Sequence, residues 1–306
     1  MKKVFVLGSI NYDLFMYTDS MPILGESIVG HGMISNFGGK GSNVAVASKK
    51  IGVNKVYLLG GIGDDDRGRS IIEGLKEHDI DISGLEIVKG ASSGTCFIIF
   101  DKSKEENAVI VDKGANILNN QLKTAAVLTK HAQKDDIFVT NLETNLLSLY
   151  KAVETAKSLG MFVIMNPSPL GDFDKSIMSK VDLLIVNKLE ATSLSGVDFK
   201  NKEDLIKVHK QLKAKATIIT LGKDGAYFIN NEEIIYQPAI PTNVVDVTCA
   251  GDTFLGALAY RKVNGYEIKN SLRFAATASS IAISRKGTTK SIPNLQEVLE
   301  LYEKSN

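Results

Sequence analysis

The sequence predicts an α/β fold, a mostly parallel sheet covered by helices, with a small second β-sheet beside it. Three observations predict it. From residue 117 onward helical and strand patterns alternate regularly, with helix 118–131, strand 137–140, helix 145–159, and strands 161–165 and 182–186. Such a rhythm builds parallel sheets with covering helices. The chain opens on a short apolar run, Val4 to Gly8, that reads as a buried first strand. Residues 14–35 and 85–111, by contrast, carry short β-type runs where helices would be expected, enough for a separate small sheet or lid.

Its 306 residues suffice for one large α/β domain or two small ones, and with no repeat, low-complexity segment or flexible linker the expectation is one domain over residues 1–306. Hydrophobic residues make up 44% and charged residues 23%, so a sizeable core can form, and the net charge of +1 argues against a nucleic-acid surface. Cys96 and Cys249 lack CxxC spacing and read as small buried hydrophobes, not as a zinc or disulfide framework. His31, His78, His131 and His209 are scattered and read as surface or structural residues. The N-terminal apolar run is too short for a signal peptide, and no run approaches eighteen apolar residues. The expected compartment is therefore the cytoplasm, with no membrane partner.

Taken in order, the first strand is followed within five residues by Asn11 and Asp13. At i and i+2 of an extended chain they share one side, at the end of a sheet where α/β proteins bind ligands; a plain Asx turn reads the same. Phe37-Gly38-Gly39-Lys40-Gly41-Ser42-Asn43 then opens a small-residue helix, Val44 to Ile51. Glycines at a helix start let an anion or polyol approach the backbone, or simply make a tight turn; the order GGKGS is not a Walker A loop. Val56 to Leu59 is a strand ending in Gly60-Gly61-Ile62-Gly63-Asp64-Asp65-Asp66. The third glycine of a dinucleotide fingerprint is replaced by Asp66, whose charge opposes a pyrophosphate, so NAD binding is rejected and the acids are read as a cap for helix 67–78. Thr95–Phe100 and Ala108–Val111 form a hairpin around the charged tip 102–107.

Farther on, strand ends carry Asn141 with Glu143, Asn166-Pro167, and Asn187 with Glu190. Each alone can be a helix cap, but in succession at one end of a sheet they fit a shared cleft. Thr217 to Leu221 is a strand leading into Gly222-Lys223-Asp224-Gly225, and a hairpin around Asn230-Asn231 follows. The stretch Asn243 to Ala257, NVVDVTCAGDTFLGA, is a loop feeding a helix start. Gly251 leaves the backbone bare, and Asp252 is either a helix cap or an acid that faces a ligand. The N–H groups of Ala250, Gly251 and Asp252 would form an anion hole of the kind that stabilises phosphoryl transfer, with Asp252 as the proton acceptor. Helices 251–263 and 267–283 should run antiparallel and return residue 285 to the neighbourhood of residue 250, and a last helix spans 294–303.

Two stretches, Phe37–Asn43 and Asp246–Phe254 (DVTCAGDTF), resemble the N- and C-terminal signatures of the ribokinase (PfkB-type) family of sugar and nucleoside kinases. Cys249 and Ala250 stand where many members have Gly-Ala. Further likeness lies in Gly8–Asp13, Gly63-Asp64-Asp65, Gly114-Ala115-Asn116, Asn166-Pro167, Asn187–Glu190 and Thr220-Leu221-Gly222, so it covers nearly the whole chain. The resemblance implies a three-layer sandwich with a β-sheet lid, and ATP-dependent phosphorylation of D-ribose at its 5-hydroxyl. It places Asn11, Asp13, Gly39, Lys40, Asn43 and Glu143 on the sugar, with Asp252 as general base. It places Asn187, Thr220, Gly222, Gly225 and Gly251 on ATP, and Glu190 at water-bound Mg²⁺. It also implies K⁺ as activator, held by a loop comprising Asp246, Thr248, Ala282, Arg285, Gly287 and Ser291, and a homodimer clasped through the lids. Ala276 departs from the Asn or His that relatives often place beside adenine. A kinase for 2-deoxyribose, fructose or a nucleoside, or a non-catalytic sugar-binding protein, shares the same features.

Overall fold

The computed structural model describes residues 1–104 and 106–304; Glu105, in the charged hairpin tip, lies outside them. Thirteen strands occur among the described residues. They are β1 (Val4–Leu7), β2 (Asn11–Thr18), β3 (Met33–Gly38), β4 (Val56–Gly63), β5 (Asp81–Val88), β6 (Gly94–Asp101) and β7 (Glu106–Asp112). The rest are β8 (Ile137–Asn141), β9 (Phe162–Asn166), β10 (Leu183–Asn187), β11 (Thr217–Thr220), β12 (Ala226–Ile229) and β13 (Ile234–Gln237). Nine of them make one sheet in the order β13-β12-β11-β10-β9-β8-β1-β4-β5, parallel except for the two pairings of β12.

The helices are α1 (Lys40–Lys50), α2 (Asp66–Glu77), α3 (Gln121–His131), α4 (Leu146–Ser158), α5 (Lys188–Ser195) and α6 (Lys202–Leu212). They continue with α7 (Ala250–Val263), α8 (Ile268–Ile283) and α9 (Leu295–Lys304). Strand β1 shows why the fold has three layers. Val4 and Val6 join one core with α1, α2, α7, α8 and α9, while Phe5 and Leu7 join another with α3, α4, α5 and α6. A strand apolar on both sides is stable only when both faces are covered. None of the described helices is long and apolar enough to cross a membrane.

The second sheet has the order β3-β2-β6-β7, with β2 and β6 parallel and the outer pairings antiparallel. Its segments differ from the expected 14–35 and 85–111. It starts at Asn11, and Leu85–Val88 belong to β5, the edge strand of the main sheet. Two further elements are longer than the sequence suggested. Helix α1 begins at Lys40, ahead of Val44, because the small residues Gly41, Ser42 and Asn43 fit buried in its first turn. Strand β4 runs on through Gly63: a side chain at Gly61 would stand 2.2 Å from the Ala115 carbonyl, so these glycines admit a neighbouring loop to the strand. The acidic cluster caps as expected, with Asp65 Oδ1 accepting the Gly68 N–H at 2.8 Å.

Candidate active site

In the strand order, the chain leaves β1 toward β4 on one side and returns to β8 on the other, so the sheet has its topological switch between β1 and β8. A ligand crevice is expected at the carboxyl ends of those two strands. There Ser9, just after β1, donates its hydroxyl to Glu143 Oε2 at 2.6 Å, just after β8. Ser9 Oγ also accepts the Lys40 N–H at 3.0 Å, so one buried hydroxyl ties β1, β8 and the start of α1. Asn141 Oδ1 accepts the Glu143 N–H at 2.9 Å and fixes the backbone beneath the carboxylate.

Helix α1 starts here because Gly39 has φ +90°, and a side chain on it would meet the Ser9 carbonyl at 2.7 Å. Asn11 and Asp13 lie on β2 and not in a turn; both are 4% exposed and, two residues apart, share one face of the small sheet. Asn116 accepts the Ile10 N–H at 2.8 Å and donates to Asn11 Oδ1 at 2.7 Å, which orients the Asn11 amide. The Asp13 carboxyl rests against Gly38, where a Cβ would come within 1.9 Å of Oδ2.

Asp252 sits in the first turn of α7 but does not cap it; Cys249 is the cap residue and makes no side-chain cap bond. Its carboxylate instead accepts Asn43 Nδ2 at 2.8 Å, which joins the two glycine-rich helix starts. Asn43 Oδ1 is buried and has no hydrogen-bond partner among the described residues. Burial raises the Asp252 pKa to about 6; Lys40 and the Asn43 bond pull it down, and Glu143 pushes it up. Asp13 rises further, to about 7, through burial and then Glu143 and Asp252, with Lys40 opposing. Three carboxyl groups and one ammonium thus feel one another across a single cleft. Cys96 belongs to it as well: it pairs with Asp13 across β2 and β6, and burial with Asp13 and Glu143 pushes its thiol up to about 12. Periodicity gave no sign of Cys96 or Ser9; only the strand register brings Cys96 beside Asp13.

The amides at the start of α7 differ from expectation in one respect. Ala250 N–H is occupied by the Val247 carbonyl at 3.2 Å. The Gly251 and Asp252 amides meet no protein acceptor among the described residues, and a Cβ on Gly251 would meet nothing within 4 Å. Of the three amides, the two of Gly251 and Asp252 are therefore left free of a protein acceptor among the described residues.

Along the sheet, a cavity of about 690 Å³ opens at the ends of β10 and β11, lined by Asn187, Thr220 and Gly222 with Leu189, Phe199 and Tyr227. Gly225 does not line it; its φ of +86° and close approach to the Gln237 carbonyl give it a backbone role. Asn187 and Glu190 form a capping box at α5: Asn187 Oδ1 accepts the Glu190 N–H and Glu190 Oε2 accepts the Asn187 N–H, each at 2.9 Å. Asp246 clips two loops together. One oxygen accepts from Thr248, the other accepts the Gly287 N–H at 3.0 Å, and Val245 N–H reaches the Ile283 carbonyl at 2.8 Å. The return of residue 285 to the start of α7 is thus as the helix lengths required. Ser291 donates to the Thr288 carbonyl at 2.8 Å, Ala282 accepts the Arg285 N–H at 3.2 Å, and Thr288 Oγ1 is buried without a partner among the described residues.

Residues 1–295 match the family described as pfkB family carbohydrate kinase. The ribokinase of Schizosaccharomyces pombe is 35% identical, with 97% of each chain covered. The deoxyribokinase of Salmonella typhi is 31% identical over 96% of this chain and 97% of that one. Among solved structures, the Arabidopsis thaliana ribokinase complexed with ribose and ATP superposes with a TM-score of 0.88 at 28% identity, covering 99% of this chain and 98% of that one.

Proposed function

This chain belongs to the pfkB family of carbohydrate kinases and is an ATP-dependent sugar kinase, and we propose that its acceptor is D-ribose, phosphorylated at the 5-hydroxyl. The observation that carries the reading is the Asp252–Asn43 pair at the two helix starts, with Asp13 and Glu143 in the same cleft. A sugar presents many hydroxyls, and the cleft presents buried carboxylates and amides to receive them. Asn11, Asp13, Lys40, Asn43 and Glu143 hold the sugar against the Gly39 backbone. Asp252, whose pKa of about 6 leaves it mostly ionised at neutral pH, accepts the proton as the hydroxyl attacks the γ-phosphate. The free Gly251 and Asp252 amides receive the charge that grows on the phosphoryl oxygens, and Ala250 adds a third if Val247 releases it.

ATP lies along the ends of β10 and β11, at Asn187, Thr220 and Gly222, while Gly225 holds the turn behind them. Mg²⁺ fits Glu190, one of whose oxygens remains outside the capping box, and it would neutralise phosphate charge there through bound water. K⁺ fits the loop pair Asp246–Thr248 and Ala282–Ser291, where carbonyls and the unpartnered Thr288 hydroxyl offer the oxygen donors a hard cation needs. Because both Asp246 oxygens are engaged in holding the loops, its carboxylate shapes the site and the carbonyls bind the ion. The small sheet closes over the sugar as a lid, and its exposed apolar residues Met33, Ile34, Phe97, Val109 and Ile110 suit pairing with a second copy.

The relatives include a deoxyribokinase, so 2-deoxyribose is the second acceptor to weigh. The chemical assignment is tested with Asp252→Asn. It should bind ribose and ATP as the parent does and turn over at least about a hundredfold more slowly. A variant with kcat near the parent's would remove Asp252 from the role of base.

A further inference from the structure

A second cavity, of about 430 Å³, lies at the other end of the main sheet, under the amino ends of β9, β10 and β11. Those strands have four or five residues, so at roughly 3.3 Å per residue it lies about 15 Å from the sugar cleft. Its floor is apolar: Leu183, Phe228 and Leu258 are all but buried, and Phe162, Tyr266 and Ile268 form the walls. The volume falls in the range of small-molecule sites, roughly 300–1,000 Å³.

Its polar groups are unevenly satisfied. Asp182 is saturated, by Lys157 at 2.6 Å, Lys215 at 2.8 Å and the Val163 N–H at 2.8 Å. Ser271 donates to the Glu267 carbonyl at 2.7 Å. Lys262 at the mouth is different: its ammonium stands 4.1 Å from the centre of the Phe162 ring and meets no carboxylate or other hydrogen-bond acceptor among the described residues. Partial burial and the nearby Lys2 lower its pKa, against weaker support from Asp182 and Asp135. Asp182 cannot serve it without giving up its own lysines. An aromatic-walled hollow with one unpaired cation at its edge complements a flat apolar body that ends in one negative charge.

We propose that this cavity binds a small aromatic monocarboxylate, its ring between Phe162, Phe228 and Tyr266 and its carboxylate on Lys262. The site is separate from the sugar cleft and does not depend on which acceptor the kinase uses. It is tested with 3-phenylpropionate as probe and 3-phenylpropanamide as its neutral counterpart. Binding is followed by ligand-detected NMR on the full chain, with ribose present to fill the cleft. The acid should bind about tenfold more tightly than the amide, the worth of one charge-assisted hydrogen bond. Lys262→Met should bring the acid down to the amide's affinity and leave the amide unchanged, and Ala216→Phe, which fills the hollow, should abolish both. Equal affinities of acid and amide for the parent protein would overturn the proposal, even if Ala216→Phe failed to fold. So would acid binding that Lys262→Met leaves intact, or no binding of the acid at millimolar concentration.

Discussion

At pH 7 the Asp13 carboxyl holds its proton about half of the time, because burial and two neighbouring carboxyl groups lift its pKa to about 7. The unfolded chain releases that proton near 3.8. Between those values the folded chain binds more protons than the unfolded one, so this group makes stability fall as pH rises from about 4 to about 7. Asp13→Asn should therefore raise Tm at pH 8, with the gain shrinking as pH is lowered toward 4; melts at the two ends of that range check it, and an unchanged Tm at pH 8 would contradict it. In the proposed mechanism the acids act in their ionised form, so kcat/KM for ribose should climb with pH through about 6 to 7, where Asp252 and Asp13 titrate. A flat profile from pH 5.5 to 8 would remove both assignments. The candidate site residues could be nominated at this scale because Asn11, Asp13, Glu143 and Asp252 all follow strand ends or glycines. Ser9 and Cys96 were not. A serine after a glycine reads as a turn, and a lone cysteine in an apolar run reads as core until the register of β2 and β6 sets it beside Asp13.

Helices α1 and α7 meet at their amino ends through one side-chain bond, Asn43 to Asp252, and the site is built where they meet. On the proposed assignment, removing Asn43 or Glu143 would leave hydroxyls of a buried sugar unpaired, at roughly 1–3 kcal/mol each. Asn43→Ala and Glu143→Ala should raise KM for ribose by about tenfold or more while KM for ATP stays near the parent's; unchanged ribose KM in both would sink the contact assignment. The loop pair behind α7 carries the next prediction. Asp246 holds residues 246–248 against Gly287, and an ion among the carbonyls would stiffen the turn that presents the Gly251 amide. K⁺ should raise kcat above the rate in a bulky organic cation at equal ionic strength, and Asp246→Ala should lose most of that response. Equal rates in K⁺, Na⁺ and the organic cation would reject it. Elements with clean periodicity, β1, β8 to β11, α7 and α8, were legible to within a few residues. Strand β5 was not, because a bulge between Asp81 and Gly84 breaks its alternation and apolar Ile87 stands exposed at the sheet edge. The tail of β4 hid behind glycines that look like a loop but serve close packing against Ala115.

For the molecule as a whole, the parallel sheet with covering helices followed from the alternation of strand and helix patterns, its three-layer form from the family resemblance, and the small sheet from β-runs where a helix was due. How that small sheet is covered is a question of assembly. On the face of the small sheet opposite Asn11 and Asp13, the apolar side chains Met33, Phe97 and Ile110 stand 62%, 41% and 64% exposed, a patch that suits burial against another surface. The protein should therefore sediment as a dimer at micromolar concentration, and Phe97→Lys with Ile110→Lys, on that one face, should make it a monomer; a monomeric parent protein would contradict the clasp. The central claim concerns the acceptor, and it is tested most directly by coupled ADP release in MgATP with ribose, 2-deoxyribose, fructose and adenosine offered separately. The account predicts the highest kcat/KM for ribose, with Asp252→Asn at least about a hundredfold slower on it. ADP release no faster with ribose than without an acceptor, or a higher kcat/KM for any of the other three, would contradict it.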